Sequence, residues 1–216
     1  SIAADTSIAK KYARFGRHCH SWNVGFEILD KARGEPLQAF AYGYLAHLAA
    51  DAVAHNCFVP HQLAITASTS ALGHSYWESR LESHLGERFP RKARALIEID
   101  HARSDGHLDR ILSPTIFSTP TNRRIFRGMV VVNDSERWQR VFALMVDNSR
   151  WDLTEPDVGR YLDTSYDFVM DFLSRDARSL AFGYDPSGEH ALRRAKQVRR
   201  AALRAGGDEA ARLDAQ

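Results

Sequence analysis

The densest chemistry in the chain is the run His47-x-x-x-Asp51-x-x-x-His55. On a helix each residue turns the chain by roughly 100°, so a step of four drifts by only about 40° and the three side chains share one stripe. At about 1.5 Å of rise per residue the two histidines stand about 12 Å apart along the axis, too far for both to hold one ion. The spacing predicts two neighbouring metals, one served by His47 and another by His55, with Asp51 bridging them or sharing the first. Two metals roughly 3.5–4 Å apart is a familiar arrangement for phosphoester hydrolysis. His74-x-x-x-Glu78 repeats the pattern over one turn, and imidazole with carboxylate is a donor mixture that suits zinc. Asp5 and the cluster His18-Cys19-His20 offer further ligands upstream. A lone His-x-x-x-Asp is usually an intrahelical hydrogen bond or ion pair. Polar residues on three successive turns of an apolar helix point elsewhere, because burying an unpaired His and Asp is costly.

Helices must position these groups. Apolar residues recur with helical periodicity, and no run of clean alternation competes with it, so the chain is predicted to be all-α, a multi-helix bundle in which the stripes converge on a core. A first helix is expected over 4–15, a second over 22–33 and a third, apolar nearly all round, over 37–56. Residues 58–69 read as a loop, 73–87 as a fourth helix, and Pro90 ends it or opens the next, taken to about His107. A loop over 113–121 precedes helices at 123–133, 136–148 and 156–173. The stretch from Glu189 to Arg204 carries six cations (Arg193, Arg194, Lys196, Arg199, Arg200, Arg204) among Ala, Leu and Val. It reads as a solvated amphipathic helix, with a phosphate- or membrane-facing strip as the alternative, and a polar tail follows from Gly206. Residues 1–187 are taken as the metal-binding domain and 188–216 as this basic helix and tail.

Composition bounds the rest. With 216 residues, 44% hydrophobic and 26% charged, the chain suits one large globular domain and not a disordered one. A formal charge of +2 makes no global case for nucleic acid or anionic lipid. His47, Asp51, His55 and Asn56 interrupt the longest apolar stretch, so no transmembrane helix is expected. Two cysteines, Cys19 and Cys57, allow at most one disulfide; each is read as a small buried residue rather than a thiolate ligand. The chain starts at Ser1 with no signal peptide behind it, and is taken as processed or trimmed. His61, His84, His101, His107 and His190 lack spaced partners and are read as surface or hydrogen-bonded. Other metal and nucleophile motifs fail: there is no paired Glu-x-x-His, no His-Glu-x-x-His, no Gly-x-Ser-x-Gly, and Asp100-His101 runs in the reverse order of a His-Asp pair.

The run His20-Ser21-Trp22-Asn23-Val24-Gly25-Phe26, the segment from Ala39 through Tyr44, His47 and Asp51 to His55-Asn56, and Gly73-His74-Ser75-Tyr76-Trp77-Glu78 together resemble the bacterial zinc-dependent phospholipase C family. The stretch Thr121 to Met129 resembles a segment of one branch, so the likeness reaches about residue 135. The resemblance implies the all-helical fold shared with zinc-dependent single-strand nucleases. By motif position it implies one zinc on Asp5, His20, His47 and Asp51, and a second on His55, His74 and Glu78. The family's third zinc sits on an N-terminal Trp and a nearby His, with the bridging Asp shared. Neither can be placed upstream of Asp5 here, so a third site is expected to be absent or incomplete. The function expected is phospholipase C-like phosphodiester hydrolysis by a zinc-activated hydroxide, with Asp5 and Asp51 as the catalytic carboxylates. Phospholipid is the expected substrate, with peripheral membrane contact and an exported location, periplasmic or secreted. The alternatives are a single-strand nuclease, for which Trp22, Tyr76 and Trp77 are candidate stacking residues, and a non-catalytic zinc-stabilised module that binds lipid or protein.

Overall fold

In the computed structural model the described residues are 2–7, 10–14, 16–66, 73–86, 88–149 and 151–205, and among them there is no strand. The all-α class follows from the helical spacing of the apolar residues. Two compact units form, Ser1–Ala49 with Glu87–Asn148, and Ala50–Gly86 with Ser149–Gln216.

The first unit opens on two short 3-10 turns, Ile2–Thr6 and Lys10–Tyr12, where the sequence predicts one continuous helix. The Thr6 hydroxyl donates to the Ala3 carbonyl at 2.9 Å, a local bond that competes with helix propagation; Phe15, the expected end, lies outside the described residues. Helix α1 (Trp22–Asp30) stops three residues short of the expected Arg33, because the Ala32 amide turns back to the Leu29 carbonyl and Gly34 takes φ +82°. Helix α2 (Glu35–Val53) buries Leu37, Ala41, Tyr44, Leu45 and Leu48. Gly25 of α1 is the close approach between these two helices: a Cβ there would stand 2.6 Å from Leu45 Cδ2.

Helix α2 does not end where the sequence places it. It passes through a π turn, Ala54–Phe58, into helix α3 (Val59–Thr66). The predicted loop is therefore helical to Thr66, and its last residues, 67–69, lie outside the described set. Pro60, read as a loop residue, falls in the first turn of α3, where a missing N–H costs little.

Beyond residue 87 the first unit adds α5 (Arg88–Ile97), α6 (Ala102–Asp109), α7 (Thr119–Asn133) and α8 (Glu136–Asp147); α4 (Gly73–His84) belongs to the second. Pro90 opens α5 instead of ending α4. The single helix predicted onward to His107 is two, because Asp100 Oδ1 accepts from the Ala102 amide at 2.8 Å and His101 Nε2 donates to the Leu96 carbonyl at 2.6 Å. Helix α7 starts four residues before Arg123, capped by the Ser118 hydroxyl, with Pro120 in its first turn. It packs on α5, on α8 and on the turn Ile2–Thr6.

The second unit adds α9 (Glu155–Arg175), capped by Thr154, and α10 (Glu189–Ala205). Its core joins Phe58, Val59 and Leu63 to Trp77, Leu153, Val158, Leu192 and Ala195. The apolar face of α10, with Leu192, Ala195 and Ala202 buried, lies on α3. The basic side of this helix is what remains outward. The polar tail from Gly206 lies outside the described residues.

Candidate metal centre

Asp5 reaches the first group of donors from the 3-10 turn, His20 from the loop before α1 and His47 from α2. Asp5 Oδ1 stands 3.2 Å from His20 Nε2, and Asp5 Oδ2 stands 3.4 Å from His47 Nε2. The two imidazoles meet edge to face at 5.7 Å. Asp51, one turn after His47 on α2, brings a carboxylate oxygen to the same set, whose four donor atoms lie within 4.8 Å of one another. Burial alone would raise the Asp5 carboxyl, but His47 and His20 outweigh it and hold it well below its ordinary value.

Two elements fix His20. Its Nδ1 is 3.1 Å from the buried Cys19 Sγ, and the Tyr44 hydroxyl donates to the Cys19 carbonyl at 2.5 Å. Upstream, Arg17 bonds Glu27 of α1 and donates to the Ile111 carbonyl at 3.0 Å, so the loop that carries His20 is tied at its base. The Arg17 guanidinium, followed by Lys31, lowers Glu27 to about 2 from its ordinary 4.5. A depressed carboxylate pKa contributes stability that is fully present above the unfolded value and is lost as the pH falls through the folded one. Glu27→Gln is therefore expected to melt below the parent at neutral pH, by about 1 kcal/mol of stability. The gap should close as the pH falls from 4.5 toward 2. Acid titrations of melting temperature that stay parallel down to pH 2 would remove this ion pair from the account.

The second group lies wholly within the second unit. His55 comes from the π turn, and His74 and Glu78 come from one turn of α4. Glu78 Oε1 is 3.1 Å from His55 Nε2 and 2.9 Å from His74 Nε2, and the two rings are 5.0 Å apart. Burial would raise Glu78, yet its bonds to His55 and His74 bring it to about 2. Burial would likewise lower His55, and Glu78 with the nearby charge of Asp51 raises it instead.

His55 is oriented from a distance in sequence. Its Nδ1 lies 2.6 Å from the Pro186 carbonyl. A carbonyl only accepts, so Nδ1 carries a proton, and Nε2 is the atom that faces Glu78, donating to its carboxylate when protonated and free to offer its lone pair to a metal when not. Asn56 Nδ2 donates to the Ala52 carbonyl at 2.8 Å and to the Asp185 carbonyl at 2.7 Å, which fixes the same turn beside it. Gly188, at φ +56°, is pressed so closely that a Cβ would stand 2.1 Å from the His55 carbonyl oxygen.

The donor chemistry fits zinc. Each group holds only imidazole nitrogen and carboxylate oxygen, and the separations of 2.9–3.4 Å match the edge of about 3.3 Å expected of a tetrahedron around an ion 2.0–2.1 Å from each ligand. All seven residues singled out in the sequence enter one group or the other.

Other candidates stay outside these groups. His18 and Cys57 are in neither, and both thiols are free, Cys19 buried and Cys57 exposed. His61 lies 3.0 Å from the Tyr161 hydroxyl, and buried His107 pairs with the Ile28 carbonyl. Trp77 is fully buried and offers no face for a base to stack on, and Tyr76 packs against Trp77 and Trp151. One residue without a sequence signal does join the first group: Lys10 Nζ stands 3.1 Å from His20 Nε2 and 3.9 Å from Asp5 Oδ1.

A family model described as zinc dependent phospholipase C matches residues 1–117. The chain belongs to that family. The matched span holds all seven donors of the two groups, and it stops before the Thr121–Met129 segment. The zinc-dependent phospholipase C match also excludes Pro186 and Gly188, which orient His55. No curated protein and no solved structure matches the chain.

Proposed function

We propose that this chain hydrolyses the phosphodiester of phospholipids, as a zinc-dependent phospholipase C, with zinc held by Asp5, His20, His47 and Asp51 and by His55, His74 and Glu78. The observation that carries this reading is the pair of all-nitrogen-and-oxygen donor groups within the family span. Zinc bound there supplies Lewis acidity, lowering the pKa of water toward neutrality and offsetting charge on phosphate oxygens. The residues supply the rest. His20 and His47 keep Asp5 ionised, so its carboxylate serves as a ligand or takes a proton from attacking water. Asp51 shares the first group and adds the second carboxylate. The Pro186 carbonyl fixes the His55 tautomer, and Lys10 adds a positive charge that favours a phosphodiester anion. An exported location, periplasmic or secreted, goes with this function.

The test is hydrolysis of short-chain phosphatidylcholine. The expected result is release of the phosphorylated headgroup, loss of activity with a chelator and recovery with added zinc. Cleavage of single-stranded DNA with phospholipid left intact would support the nuclease alternative, against which the burial of Trp77 counts. Zinc binding with turnover of neither substrate would support the non-catalytic one.

A further inference from the structure

Helices α7 and α8 form a hairpin whose apolar side faces solvent. On α7, Met129 and Val132 are 54% and 52% exposed; on α8, Trp138, Val141, Leu144 and Met145 are 42–62% exposed. Helix α8 buries no residue at all. Large exposed apolar surfaces of this kind mark places where something docks.

Three features name the occupant. Exposed cations lie on the same helices, Arg124 on α7 and Arg137 and Arg140 on α8, and Lys92 is exposed on α5, which packs beside α7; the exposed carboxylates of α8, Glu136 and Asp147, stand at its two ends. A helix with an apolar face that includes a Trp and with arginines along its flank has the make-up of one that lies in a lipid headgroup region. No described helix is long and apolar enough to cross a membrane, so such contact is peripheral. The basic helix α10 lacks this combination, because its apolar face is spent on α3.

We propose that the α7–α8 hairpin is the membrane-docking element of this chain, its apolar side seated in an anionic phospholipid surface with the arginines at the headgroups. The inference rests on the phospholipase reading for its choice of partner. Helix α7 also packs on the turn that carries Asp5, so the docking element and Asp5 belong to one structural unit.

The experiment is brief vesicle sedimentation of the zinc-loaded full chain in the cold with phosphatidylcholine containing phosphatidylglycerol, with headgroup release measured on the same samples. The triple variant Met129→Ser/Leu144→Ser/Met145→Ser is expected to lower partitioning more than tenfold, with an unchanged melting temperature and an unchanged rate on soluble short-chain phosphatidylcholine. Brominated lipid should quench the parent's emission and lose most of that effect in Trp138→Phe. Arg193→Gln/Arg194→Gln on α10 should shift partitioning less than twofold. The proposal is overturned if the triple variant sediments with vesicles like the parent. It is also overturned if the parent is a dimer that the triple variant makes monomeric while neither binds vesicles, which assigns the face to a second copy. Hairpin-dependent vesicle binding without phospholipid hydrolysis would sink the proposed activity and leave the docking element standing.

Discussion

Glu78→Ala is expected to leave the chain with one zinc where the parent carries two, and His74→Ala to do the same. Both side chains come from one turn of α4, and Glu78 Oε1 stands 3.1 Å from His55 Nε2 and 2.9 Å from His74 Nε2, so either deletion leaves two donors, too few to hold zinc tightly in competition with water. The group of Asp5, His20, His47 and Asp51 keeps all four of its donors. Hydrolysis should fall by at least a hundredfold, because charge on the phosphate oxygens loses a compensating cation. Removal of Glu78 also strips a carboxylate that two imidazoles share, so the metal-free variant should gain little stability from its histidines. Elemental analysis after gel filtration reads the outcome. Loss of all zinc from either variant would mean that the groups fill as one cooperative site.

Gly188→Ala should do comparable damage from outside the family span. Its φ of +56° costs an alanine about 1–2 kcal/mol, and the new methyl would overlap the His55 carbonyl at 2.1 Å. That carbonyl is backbone, so relief requires the π turn or the segment 185–188 to move. Either motion breaks the 2.6 Å bond that fixes the His55 tautomer. The expected result is weaker zinc binding at the second group, seen as an altered visible spectrum in the cobalt-substituted protein, together with a lower melting temperature. His55→Ala should then add little to the loss of second-site metal in Gly188→Ala. A variant that melts lower yet keeps the parent's cobalt spectrum would make Gly188 a packing residue only.

These two sites show what spacing does and does not carry. The stripe on α2 and the pair on α4 were legible because a four-residue step on a helix fixes which side chains share a face. Asp5 and His20 stood out only as donors available upstream, which no local period links to the stripe, and it was the resemblance that assigned them to the first zinc. Pro186 was invisible: it acts through its backbone carbonyl, 131 residues from His55, and a carbonyl leaves no mark on residue type. Lys10 was likewise hidden, since it joins His20 through a 3-10 turn that the sequence read as plain helix. The loop expected over 58–69 proved helical through Thr66, with Pro60 in the first turn of α3, where its missing N–H costs little. The division of labour between α8 and α10 depends on which apolar face finds a neighbour. Both are amphipathic in sequence, and packing alone separates them.

The most direct test of the central claim is the zinc content of the purified chain, measured beside its hydrolysis of phosphatidylcholine as the metal is withdrawn and returned. Two donor groups predict two zinc ions per chain, with activity that disappears when both are chelated and returns as both are restored. A chain that binds no zinc, or one that hydrolyses phospholipid at an undiminished rate when metal-free, would contradict the account.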